Sequence, residues 1–119
     1  MTSTGLGAVF ASRLQLARVC AVLTRGCAHV ALWTGDGPTL GARARVEAPP
    51  ADMTGEQRVL LELAFCLWDG SKGPPFGSAL TLLGAAHLHL VGGLLLAMSE
   101  SSAAIDRWLR LNGGPAGDA

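Results

Sequence analysis

From Ser78 to Ser99 the chain runs for 22 residues without one Asp, Glu, Lys or Arg. A stretch this apolar has two physical outcomes. It spans a bilayer, which takes about 20 residues of helix, or other protein covers it. Its composition favours the second. Gly84, Gly92 and Gly93 interrupt it, and glycine is a poor helix former in water. His87 and His89 would be costly in lipid. The flanks show no basic asymmetry, with Lys72 before the stretch and Arg107 and Arg110 after it. Gly84 is expected to divide the stretch into a short helix, residues 78–83, and a longer one, Ala85–Met98.

The rest of the chain sharpens the question of what covers this region. Its 119 residues are the size of one domain. Only 15% are charged against the usual quarter, while half are hydrophobic, which leaves more apolar side chains than a small monomer needs to bury. Nine basic residues balance nine acidic ones, so no broad field gathers phosphates. All the basic residues but Lys72 are arginines, which with the abundant Ala, Gly and Leu points to a GC-rich, bacterial genome. Cys20, Cys27 and Cys66 are an odd set in a chain without an evident export signal: Arg13 is the first charge and Arg18 breaks the apolar run after it. That combination predicts a reduced, cytoplasmic protein.

Periodicity predicts the remaining elements. Leu6, Phe10, Leu14, Ala17 and Ala21 recur at helical spacing, as do Val9, Leu16, Cys20 and Leu23, so a helix is expected over 5–24, capped by Thr2, Ser3 or Thr4 and stopped by Gly26. β-Branched Val19, Val22 and Thr24 leave a strand open for residues 17–24. Ala28–Trp33 and the alternating run Leu40, Ala42, Ala44, Val46 read as two strands joined through the turn residues Thr34–Gly37 and ended by Pro49-Pro50. Thr54 and Gln57 form a capping box ahead of a helix carrying Val59, Leu60, Leu63 and Leu67, stopped by Gly70. A Pro/Gly loop over 71–77 follows. A final helix starts at Ser101 or Ser102, buries Ile105, Trp108, Leu109 and Leu111, and stops at Asn112-Gly113.

The expected fold is therefore α+β and mainly helical. An N-terminal helix and a β-hairpin precede a C-terminal bundle of three to four helices. It is one domain over 1–119, with residues 48–53 as an internal connection and flexible ends at 1–4 and 113–119.

Chemistry is thinly represented. Cys27 with His29 and His87 with His89 invite a metal, but no paired C-x2-C motif announces one, and residues two apart on a helix point roughly 200° apart. A Cys66–His87 nucleophile pair has no local signal to place it. Glu62 stands inside a helix but is expected on its wet side. The chain has no G-x-S-x-G, no P-loop and no G-x-G-x-x-G. No enzyme, cofactor or metal is expected. A helix-turn-helix over residues 78–98 would present a second helix with no basic residue to a major groove, and Arg43 and Arg45 read better as the solvated face of a strand. The expectation is a small interaction module whose partner is protein, and above all another copy. Its candidate surface is Leu80, Leu83, Leu88, Val91 and Leu95, with Trp68 and Phe76 beside the Pro/Gly loop. A single-span membrane protein anchored by residues 78–99 is the first alternative. A nucleic-acid-binding regulator using Arg13, Arg18, Arg43 and Arg45 is the second.

Overall fold

The computed structural model describes residues 9–28 and 30–113. Among the described residues six helices and one minimal hairpin follow each other as α1 (Arg13–Leu23), β1 (Trp33–Thr34), β2 (Gly37–Pro38), α2 (Leu40–Glu47), α3 (Gly55–Asp69), α4 (Phe76–Leu82), α5 (Ala85–Glu100) and α6 (Ser102–Leu111). The α+β, mainly helical expectation holds, with α3 to α6 as the C-terminal helices.

The α1 helix is the centre of the molecule. Leu16, Ala17, Val19, Cys20, Val22 and Leu23 are all buried, and the helix lies against α3, the hairpin and α6. Residues 17–23 are thus helix, because tertiary burial on most sides outweighs the modest β preference of two valines. The start differs from expectation. Ser12, with extended backbone, caps the helix by accepting from the Gln15 amide at 3.0 Å. The expected caps at Thr2–Thr4 lie outside the described residues. Gln15 is buried, and its amide is used at both ends. Its Oε1 accepts from the Ala11 amide, and its Nε2 donates to the Ser102 carbonyl and to Asp106, each at 3.0 Å. One side chain therefore ties the entry of α1 to the first turns of α6, at no cost in unpaired polar groups.

Two strand expectations are corrected. Among the described residues of the first run only Trp33 pairs, antiparallel with Pro38, and Thr34, expected in the turn, pairs with Gly37. The alternating run 40–46 is the helix α2. Pro38 has no amide to continue a ladder, and Thr39 then caps a helix by accepting from the Ala42 amide at 3.1 Å. Leu, Ala, Arg and Glu favour the helix once it is capped, and Val46 is the one β-branched residue in it. The alternation carried little burial: Ala42 is the only fully buried residue, Val46 is partly buried, and Leu40 is 88% exposed.

The α3 helix is as its sequence predicts. Thr54 Oγ1 accepts from the Gln57 amide at 3.0 Å, Gln57 Oε1 accepts from the Thr54 amide at 2.9 Å, and Gly70 ends the helix at φ 77°. Gln57 also donates through Nε2 to the Gly26 carbonyl at 3.0 Å, fixing α3 to the end of α1. Val59, Leu60, Leu61, Ala64, Phe65 and Leu67 complete a continuous core with α1 and with Ile105, Trp108 and Leu109 of α6. Leu111 departs from expectation, being 83% exposed. Ser101 caps α6 by accepting from the Ala104 amide at 3.0 Å, and Asn112 and Gly113 (φ 78°) end it. The expected flexible ends lie outside the described residues, apart from Gly113.

Candidate interaction surface

The uncharged stretch folds as α4 and α5, with Leu83 and Gly84 extended between them. Gly84 offers no side chain to cap α5. Glu56, on the first turn of α3, stands at this joint instead: its Oε2 accepts from the Gly84 amide at 2.6 Å and lies 2.7 Å from His87 Nδ1. A Cβ at position 84 would stand 3.2 Å from that oxygen, so glycine leaves the room the carboxylate needs. An ionised carboxylate only accepts, so Nδ1 carries the proton. These bonds, the Gly84 amide first and His87 second, hold the Glu56 carboxyl below the ordinary carboxylate value of 4.5.

A depressed acid contributes stability above its unfolded value, and that contribution is lost as pH falls through the lowered folded value. Glu56→Gln is therefore expected to be less stable than the native chain at pH 7. The gap should shrink below pH 4.5 and vanish in stronger acid, as urea unfolding at pH 7, 4.5 and 3 would read. A gap independent of pH would mean that the carboxylate charge is not what holds this joint.

Beyond this joint α5 is sparsely covered. Of its sixteen residues only Leu94 and Ala97 are buried, and Glu100 is its one charge. Its contacts are mainly with α6, where the Trp108 indole N–H donates to the Leu90 carbonyl at 3.0 Å. Leu88 and Leu95 are exposed and Val91 is half-buried. At 100° per residue the three make one row along the helix. Phe76 (76% exposed) and Leu80 share a face of α4, one turn apart. No residue of α4 is buried.

Two residues of the expected surface belong elsewhere. Leu83 closes α4 and is buried in the core. Trp68 is half-buried near the end of α3, edge-on to Trp33 with ring centroids 6.1 Å apart, and under the Arg13 guanidinium, 3.9 Å from the ring centroid. It anchors the hairpin. Sequence reasoning ended the contact region at Leu96 without singling it out, and treated Leu111 as core. Both are among the most exposed apolar side chains, and both line an open groove of about 440 Å³ between α5 and α6. Glu56 was also missed, since nothing local announces a partner 28 residues away.

The other chemical candidates fare as follows. His87 pairs with Glu56 at the start of α3, whereas Cys66 lies near its end, roughly 15 Å along the helix axis, so that pair is not assembled. Burial pushes the Cys20 thiol above the usual range and the Cys27 thiol to about 11, and their Sγ atoms point to the Ala64 and Gln57 carbonyls. Thiols so shifted are poor nucleophiles. No three His, Cys, Asp or Glu converge among the described residues, and His29 lies outside them. Glu62 pairs with Arg58 at 3.2 Å. Arg43 sits on α2, not on a strand, 3.7 Å from Asp69 and over the Phe65 ring. Among the described residues no helix is long and apolar enough to cross a membrane.

Comparison of the chain with models of known families, with curated protein sequences and with solved structures finds no match.

Proposed function

We propose that this protein is a small, non-enzymatic interaction module that associates with copies of itself through the uncovered apolar sides of α4 and α5. The observation that carries the reading is the state of α5: an almost chargeless sixteen-residue helix that buries two side chains and leaves Leu88, Leu95 and Leu96 exposed. Apolar area of this kind gains about 25 cal/mol per Å² when removed from water, and patches of it mark interfaces. A second copy is the fitting partner because the surface has no charge to repel its own image and nothing to attract a charged one. Gly92, with open space where a Cβ would sit, allows a neighbouring backbone to come close.

The duplex-binding reading has less behind it, because several arginines are already engaged within the protein: Arg13 on Trp68, Arg25 on the carbonyls of Asn112 and Gly113, and Arg43 on Asp69. The bilayer reading is weakened by the break at Leu83–Gly84. A cytoplasmic, bacterial setting is part of the proposal, and the free thiols of Cys20, Cys27 and Cys66 suit a reducing compartment.

The test is absolute mass in detergent-free buffer by size-exclusion chromatography with light scattering. The native chain is expected to exceed its 12.2 kDa monomer. Leu95→Glu is expected to return to that mass with its helical circular dichroism intact, since Leu95 is 54% exposed and the core does not use it. A native monomer, or a Leu95→Glu variant in the native assembly, would overturn the proposal.

A further inference from the structure

The α5 helix carries two apolar surfaces, on different sides and of opposite shape. One is the convex row Leu88, Val91 and Leu95. The other is the groove against α6, walled by Leu96, Trp108 and Leu111, where Gly93, Ala97 and Ala104 leave the space. At 100° per residue their centres lie roughly 160° apart around the helix axis, so they do not form one patch. The row holds no charge. The charged residues of the groove, Glu100 and Arg107, face each other at 3.7 Å and leave it neutral. The row is also short enough to lie within the groove. Leu88 to Leu95 covers about 10 Å of helix, and the α5 wall of the groove, from His89 to Glu100, covers about 16 Å.

A two-fold dimer made row against row would leave Leu96, 63% exposed, and Leu111, 83% exposed, in water in both copies. Seating the row of one copy in the groove of the next covers both surfaces at every joint. We infer that the copies assemble head to tail, the Leu88–Val91–Leu95 row of one lying in the α5–α6 groove of another. This rests on the self-association proposed above and specifies its symmetry. A joint of this kind is heterologous, so it closes into a ring or continues as an open chain rather than stopping at a two-fold dimer. The groove accepts an uncharged apolar helix, and the protein itself carries one.

Complementation tests it. Leu95→Glu removes a row and Leu111→Glu spoils a groove, both at exposed positions. Leu88→Glu and Leu96→Glu form a second pair, should circular dichroism show either of the first variants misfolded. Light scattering is expected to give a native assembly larger than a dimer and monomers for each variant alone. An equimolar mixture should give a one-to-one heterodimer, because it contains one intact row and one intact groove and its other two surfaces are dead. Two results overturn the inference while self-association stands: a Leu111→Glu variant that assembles like the native chain, or a mixture that stays monomeric. A monomeric native chain overturns self-association itself and this inference with it.

Discussion

Leu61→Ala is expected to lower the unfolding free energy by about 3 kcal/mol, within the range of about 2–5 kcal/mol seen when a buried leucine is cut to alanine. Leu61 lies at the middle of α3 with 0% exposure, where α3 meets the rest of the core. Its removal costs the transfer of the lost carbons and leaves a void that helices fixed at both ends close poorly. The Gln57–Gly26 bond holds one end of α3, and the packing of Trp68 against Trp33 holds the other. For a domain of this size the loss corresponds to about 12 °C in Tm. Thermal melts of the two chains measure it. A shift under about 3 °C would mean that the centre of the core lies elsewhere.

Gly37→Ala is expected to destabilise by a similar amount for a different reason. Gly37 closes the hairpin at φ 126°, a conformation L side chains rarely adopt. A Cβ there would stand 2.7 Å from Cζ2 of Trp68 and 3.2 Å from Cη2. The backbone strain costs about 1–3 kcal/mol, and the indole cannot retreat freely because Trp33 and Arg13 hold it. Gly70→Ala is the control: it too has positive φ, at 77°, but nothing within 4 Å of the added Cβ. It should cost about 1 kcal/mol. The difference between the two variants in urea unfolding reads the collision with Trp68. If the two cost the same, Trp68 does not press on the hairpin as described.

What the sequence made legible were the signals carried by a few local bonds. The Thr54–Gln57 box, the Gly70 stop, the break at Gly84 and the start at Ser101 each depend on residues within four positions of one another, and each stands where expected. What it hid depended on partners far along the chain or on burial. Residues 40–46 alternate like a strand, but alternation indicates a strand only if one side is buried, and here Ala42 alone is. Leu83 and Leu95 look alike in sequence, yet one closes α4 in the core and the other faces water. The uncharged stretch announced a surface in need of cover. It did not announce that α5 would show water two apolar sides, because that follows from where α6 and Trp108 come to rest. The Glu56–His87 contact joins residues 31 apart and had no local mark.

The position of α1 also bears on the time course of synthesis. Its acceptors lie far downstream: Gln15 donates to the Ser102 carbonyl and the Asp106 carboxylate, 87 and 91 residues later, and Arg25, just past α1, donates to the Asn112 carbonyl, again 87 residues later. At roughly 5–20 residues per second, a ribosome leaves α1 waiting on the order of 5–20 s before α6 exists to cover it. Throughout that interval the buried side chains of α1 are shielded only as α3 emerges. The ten residues of α6 act as the closing piece, so a chain ended before Ser102 would leave the α6 side of its central helix bare and ready to aggregate.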